Sequence, residues 1–228
     1  WEKAKYSINQ GLWGTSVGGS ETLTSDQPLP DSAYPSALEK EKEEAISLTF
    51  TRGELTEVNG EKGTQVALIQ TLQNQAKQFA IGRDIHVGDT IIGIKGRVGF
   101  EAAAPAIIIK AHHLLEKHTL SKWQQFQKEQ LSNFYGMQLH EGHYLDPVMR
   151  DMEAFMESSQ KKVNGTVYIK LYPYRFELLG IRSPNDLMQA EFGSYGEMNK
   201  GWTAEEAKGF IKLTANATKI YQHLNKEQ

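Results

Sequence analysis

Two hydroxyls, Ser7 and Ser16, stand in a short segment with Gly11, Gly14, Gly18 and Gly19. A hydroxyl both donates and accepts hydrogen bonds, and glycine-rich backbone can approach a small polar ligand closely. The same composition also suits a plain surface loop, so these residues alone leave both readings open. Further along, Lys95 and Arg97 alternate with Ile94 and Val98, which places both cations on one side of a strand. Beside Gly93, Gly96 and Gly99, such cations could orient an anion, with a solvated strand face as the plainer alternative. This G-x-x-G-x-x-G spacing is not a phosphate-binding fingerprint, because no Gly-Lys-Ser/Thr follows and G-x-G-x-x-G is absent. His112, His113 and His118 invite a metal reading, as do His140 and His143. The last two do not have H-E-x-x-H spacing and fall where a helix should end, so no metal site is expected.

The elements that must carry these groups are legible from periodicity. The alternation in "AISLTFTRGELTEVNG" predicts a hairpin turning at Arg52-Gly53, with Asn59-Gly60 closing its second strand. A helix capped by Thr64 should follow, with Val66, Ile69, Leu72, Ala76 and Phe79 on its apolar side and Gly82 just past its end. Two short β-branched runs flank Gly88-Asp89. Three packing helices come next: one with Pro105 in its first turn, one striped by Trp123, Phe126, Leu131, Phe134 and Met137, and one opened by Asp146-Pro147. Val167, Ile169 and Leu171 begin a further antiparallel pair that turns at Pro173. A long amphipathic helix with Phe210, Leu213, Ala217, Ile220 and Leu224 closes the chain, suited to docking on its own domain or crossing to another subunit. Strands and helices are segregated, so the expected class is α+β, with antiparallel hairpins packed against helices. The expected divisions are a substrate loop and irregular arm at 1–44, an α+β core at 45–200 and the terminal helix at 201–228.

Composition narrows the function. The 228 residues carry a net charge of −3 and no cysteine. The charge argues against sequence-independent nucleic-acid binding. The absence of cysteine excludes disulfides and thiolate chemistry and fits a cytoplasmic location. No apolar run approaches the length of a membrane span, and no signal peptide is visible.

Taken in order, "YSINQGLWGTSVGG", "IGRDIHVGDTIIGIKGRVGFE", "SQKKVNGTVYIKLY", "RSPNDL" and "ATKIY" after "GFIKL" resemble successive blocks of the carboxy-terminal part of the argininosuccinate synthase family. The resemblance runs over essentially the whole chain. It implies an ATP- and Mg²⁺-dependent ligase that activates the ureido oxygen of citrulline as an adenylate, which the amine of aspartate then displaces. It also implies that ATP, Mg²⁺ and aspartate are bound mainly by an amino-terminal domain with no counterpart here. The part represented would supply some of the citrulline pocket and most of a homotetramer interface. With Trp1 as its first residue, the chain is expected to be one half of such an enzyme and inactive by itself. Catalysis would rest on positioning and charge stabilisation, and no residue here is expected to act as a covalent nucleophile.

Residue by residue, Ser7 and Ser16 match the family serines that hydrogen-bond citrulline. Lys95 and Arg97 are retained, with a structural or anion-orienting role. Two positions depart from the pattern. Gly88, in Gly88-Asp89-Thr90, stands where the family has the glutamate of Glu-Asn-Arg, which faces the α-ammonium of citrulline. Phe100 stands where it has a tyrosine before the matching Glu101. Losing a buried counter-charge is costly, so either Asp89 substitutes for the glutamate or the substrate is an N-acylated citrulline, N-acetyl or N-succinyl, with no ammonium to balance. A reading from another class is a non-catalytic assembly or amino-acid-sensing module derived from this family.

Overall fold

The computed structural model describes residues 4–189 and 201–225. Trp1 and the division drawn at residue 200 lie outside these. The chain forms two compact units, Trp1–Asp186 and Leu187–Gln228. The first holds two antiparallel sheets and four α-helices among its described residues, the α+β architecture expected.

The larger sheet has the order β5-β4-β3-β8-β9, from β3 (Glu44–Thr51), β4 (Glu54–Val58), β5 (Glu61–Lys62), β8 (Gly165–Tyr172) and β9 (Arg175–Arg182). Arg52 and Gly53 both take positive φ, 52° and 79°, the mirror-image turn whose twist suits a two-residue hairpin. Alternation along β3 and β8 buries Ile46, Leu48, Phe50, Val167, Ile169 and Leu171 on one face. Helices α1 (Gln65–Ala76) and α2 (Ala103–Thr119) close over that face with Leu68, Leu72, Ile107 and Leu115. Thr64 caps α1 by accepting from the Ala67 N–H. Of the apolar positions expected along this stretch, Leu72, Ala76 and Phe79 are buried and Ile69 packs against the core; Val66 is exposed, and Leu68 takes the buried place in the first turn.

Helix α3 (Lys122–His140) also differs. Its apolar stripe was expected to pack, yet none of its residues is buried, and Trp123 and Phe126 are more than half exposed. Polar contacts hold it instead: Lys128 reaches the buried Glu116 of α2, and the Tyr135 hydroxyl donates to Glu153 of α4 (Pro147–Gln160). Asp146 caps α4 as the Asp-Pro signature predicts, accepting from the Val148 N–H.

The smaller sheet has the order β1-β2-β7-β6, from β1 (Ser7–Gly11), β2 (Gly14–Gly18), β6 (Arg83–Asp89) and β7 (Lys95–Glu101). The segment that could have been a surface loop is therefore a β-hairpin. Gly88-Asp89 is the end of a strand, and the chain reverses further on, where the Gly93 N–H donates to the Thr90 carbonyl. Within the irregular arm expected in residues 1–44, the stretch at 20–36 covers one face of this sheet. Its Leu29 and Ala33 are buried against Val17.

In the second unit the expected terminal helix is present in two pieces, α5 (Ala204–Thr214) and α6 (Asn216–Leu224), either side of Ala215. A capping box between Thr203 and Glu206 starts α5. Phe210, Leu213, Ile220 and Leu224 are all more than half exposed.

Candidate functional site: the open face of the smaller sheet

Strand alternation sorts the residues of the smaller sheet into two sides, and paired residues share a side. The register pairs Ser7 with Gly18, Asn9 with Ser16, Ser16 with Phe100, and Phe100 with Asp84. Continuing down the same ladder, His86 pairs with Val98 and Gly88 with Gly96. Ser7, Ser16, Phe100 and Gly88, singled out from sequence, therefore lie on one side, together with Asn9, Asp84 and His86. Ser16 and Phe100 are direct cross-strand neighbours. Ser7 and Gly88 lie towards opposite edges, on β1 and β6.

The other side is the one the arm covers, which leaves the side with Ser16 and Phe100 open. Arg97 points there and donates to three backbone carbonyls of the arm, Glu21 at 2.8 Å, Thr24 at 2.8 Å and Gln27 at 2.9 Å. Its guanidinium thus holds protein backbone. Lys95 forms a 2.5 Å ion pair with Asp89, both well exposed, on the same covered-side row as Arg97. Asp89 is thus committed to Lys95 and points away from Ser16 and Phe100. At the start of the arm, Lys5 and the Tyr6 hydroxyl converge on Glu21 and draw its carboxyl down to about 2.

The pivot of the covered side is Arg83. Its Nε donates to Glu101 Oε2 at 2.9 Å, Nη1 to Asp31 at 3.2 Å and Nη2 to the Ser36 carbonyl, while the guanidinium lies 4.7 Å from the centre of the Tyr34 ring. Glu101 is 2 % exposed and pairs in register with both Thr15 and Arg83. This buried ion pair ties β7 and β6 to the arm, one residue along from Phe100, whose strand pairs with β2 at Ser16. Desolvation raises the Tyr34 phenol above its ordinary pKa.

A cleft of about 560 Å³ lies at the hairpin end of the sheet, with Asn9, Trp13, Ser16 and Phe100 among its walls. Gly14 shapes its base: at φ 126° and with Ala102 Cβ 2.9 Å from where its own Cβ would be, only glycine fits. A somewhat larger cavity, about 640 Å³, lies elsewhere, between the β3–β4 turn and helices α2, α3 and α4. Its floor is a polar network. Gln160 donates to Glu116 at 2.7 Å, Lys128 reaches Glu116 at 2.7 Å, and His112 Nε2 lies 2.9 Å from the Gln160 side-chain oxygen. Burial holds His112 below the ordinary imidazole pKa. None of the residues proposed from sequence lines that cavity, and the network satisfies its own buried polar groups, so the open face is the better candidate site. Among the described residues, no group of three His, Asp or Glu side chains is arranged to hold a metal.

Asn9, Trp13, Asp84 and His86 were not anticipated. Once β1, β2, β7 and β6 are paired, Asn9 lies across from Ser16 and Asp84 across from Phe100, with His86 two residues further along β6; that pairing was the missing step. Trp13 sits in the turn of a hairpin that could equally have been read as a loop.

The chain is thus an α+β protein whose smaller sheet has one face covered by its own arm and the other open and lined by hydroxyl, amide and imidazole groups. Comparison with known proteins places it more narrowly. Residues 6–221 match the family model described as "Arginosuccinate synthase C-terminal domain". The chain is 34% identical over 97% of its length to the argininosuccinate synthase of Xanthomonas axonopodis pv. citri, covering 54% of that protein. It is 34% identical to the enzyme of Dictyoglomus thermophilum, covering 96% of the chain and 55% of the relative. With that of Methanocaldococcus jannaschii it shares 31% identity over 100% of the chain and 58% of the relative. The chain belongs to the argininosuccinate synthase family and corresponds to its carboxy-terminal domain. It spans just over half the length of these relatives.

Proposed function

We propose that this chain is the carboxy-terminal part of a ligase that joins citrulline, free or N-acylated, to aspartate at the expense of ATP, yielding argininosuccinate or its N-acyl form, AMP and pyrophosphate, in arginine biosynthesis in the cytoplasm. The observation that carries this reading is the cross-strand placement of Ser16 beside Phe100 on the open face of a domain belonging to this family. On this reading the face binds citrulline, with the Ser7 and Ser16 hydroxyls and the Asn9 amide offering neutral donors and acceptors to its amino-acid end. Phe100 supplies an apolar wall for its methylenes. The chain's contribution is to bind and orient.

On this reading ATP and Mg²⁺ are held by the part of the enzyme outside this chain. The described residues contain neither a Gly-Lys-Ser/Thr phosphate loop nor an acidic cluster arranged for a metal, so adenylation and the aspartate contacts are assigned to the remainder of the polypeptide. Homotetramer assembly is part of the proposal. The exposed apolar residues of α5 and α6, and separately those of α3, supply surface of the kind that subunit contacts bury.

Calorimetric titration of the 228-residue chain and of the full-length protein with L-citrulline and N-acetyl-L-citrulline tests the reading. At least one ligand should bind both proteins, and Ser16→Ala should weaken that binding about tenfold, the upper range for one hydrogen bond. With ATP, aspartate and the bound ligand, the full-length protein should release pyrophosphate and the chain alone should not. Absence of binding to both proteins, or pyrophosphate release by the chain alone, would overturn it.

A further inference from the structure

Resting on the reading above, we infer that His86 is a specificity-determining residue of the citrulline site and that it selects a substrate acylated on its α-nitrogen. The argument begins at Gly88. A side chain there would start on the open face, but its first carbon would lie 2.7 Å from His86 Nε2. The imidazole therefore fills the space that the side chain of residue 88 would take. His86 is exposed, and neither ring nitrogen has a hydrogen-bond or ion-pair partner among the described residues. Its surroundings on the open face are Val98 directly opposite, Phe100 on the diagonal and Asp84 two residues back along the strand.

The chemistry of this corner decides what it can take. A free α-ammonium needs an anion. Asp89 cannot serve, because it lies on the covered-side row and is paired with Lys95. Asp84 shares the open face but sits level with Phe100, and one of its oxygens accepts from the neighbouring Ile85 N–H at 2.8 Å. What stands at the far corner is an imidazole on an edge strand, with Val98 and Phe100 along its one neighbouring strand and Asp84 two residues back. An imidazole N–H donates to a carbonyl or carboxylate oxygen, and Val98 and Phe100 suit the carbon atoms of an acyl group. Acylation removes the ammonium charge and adds the oxygen acceptor that such a corner can use. From Ser16 to His86 the sheet spans two strand spacings sideways and two residues along, about 12 Å between backbones. That distance suits an α-carboxylate held at Ser16 with the acyl group on the neighbouring α-nitrogen reaching His86, one hydrogen bond at each end.

The test is a ratio of affinities, which a merely structural role for His86 would not move. N-acetyl-L-citrulline and N-succinyl-L-citrulline should each be titrated against L-citrulline, using the 228-residue chain and the full-length protein. An acylated ligand should bind at least about tenfold more tightly than L-citrulline. His86→Ala should lower the acylated-to-free ratio about tenfold, His86→Gln, which keeps a donor, should restore part of it, and Gly88→Glu should invert it. Equal or tighter binding of L-citrulline to the unaltered protein would overturn the inference, as would an unchanged ratio in His86→Ala. Loss of L-citrulline binding in Asp84→Asn, with His86→Ala silent, would assign the corner to a free ammonium instead. Either of these failures leaves citrulline binding intact. Failure of the underlying reading would appear differently, as binding of no ligand to either protein.

Discussion

Replacing Glu101 by alanine tests whether the covered side of the smaller sheet positions the open one. Glu101 is 2 % exposed, and its Oε2 receives the Arg83 Nε–H at 2.9 Å. Arg83 is itself only 11 % exposed at the side chain, so removing Glu101 leaves a guanidinium in a largely dry place. Asp31, which is 81 % exposed, and the Ser36 carbonyl remain as its partners and cannot replace a buried carboxylate. Removing one member of a buried pair costs about 3–5 kcal/mol, most of it from the stranded charge. For a protein of this size each kcal/mol shifts the midpoint by about 2–4 °C, so the melting temperature should fall by roughly 6–20 °C. Calorimetry or far-ultraviolet circular dichroism on the 228-residue chain measures it. The double variant Arg83→Met, Glu101→Leu should regain most of the loss, since an apolar pair of similar volume removes both charges together. A loss under about 1 kcal/mol in Glu101→Ala would refute the reasoning, as would a double variant as unstable as the sum of the two single ones. The positioning claim has its own readout: because Glu101 follows Phe100 directly, the backbone resonances of Ser16 and Phe100 should shift in the single variant even below its melting temperature.

Gly82 holds φ 84° with the Ala102 carbonyl carbon 2.6 Å from where a Cβ would be, so Gly82→Ala should destabilise the chain by about 2 kcal/mol or more, measured by urea denaturation. His112 supplies a pH dependence. Burial first of all, then Lys128 and His113, hold its pKa below the ordinary 6.5, against the opposing pull of Glu116 and the Gln160 hydrogen bond. A group whose folded pKa is depressed contributes stability that is complete above its unfolded pKa and is lost as pH falls towards its folded one. Unfolding free energy should therefore drop as pH is lowered from about 6.5, at no more than about 1.4 kcal/mol per pH unit for this one proton. In denaturant melts His112→Gln should flatten that slope, and an unchanged slope would assign the proton elsewhere.

The large sheet was readable because short-range chemistry dominated it. Arg52-Gly53 permits one kind of turn, and a period of two in β3 and β8 leaves one face to bury. Helix starts were equally legible at Thr64 and Asp146, whose side chains bond the adjacent backbone and need no tertiary context. Reading failed where an element's role depends on what lies opposite. Along α1 the expected Leu72, Ala76 and Phe79 are buried, but Val66 and Leu68 are both apolar and only the sheet decides which one packs. The α3 stripe was taken for core because periodicity reports an apolar side without saying whether this chain covers it. The stretch at 20–36 has no periodicity to read, and it is the burial of Leu29 and the carbonyls bound by Arg97 that make it the cover of one sheet face.

The candidate site combines both kinds of outcome. Ser7, Ser16, Gly88 and Phe100 were chosen by resemblance, and nothing in their spacing along the chain required them to share a face. The register supplies that requirement: a slip of one residue between β6 and β7 would turn His86 and Gly88 to the arm side and bring Asp89 to the ligand side. Register here is held by Arg83–Glu101 at one end of the β6–β7 ladder and Asp89–Lys95 at the other, two ion pairs of very different burial. The exposed pair contributes at most about 1 kcal/mol, so the specificity of the ladder rests on the buried one and on Leu29 packing over Gly99. Of the charges that look most available for substrate, Arg97 is engaged with the arm's carbonyls, and Lys95 and Asp89 pair with each other on the covered-side row. The side chains left to meet a ligand are mostly neutral, with the carboxylate of Asp84 and the imidazole of His86 among them.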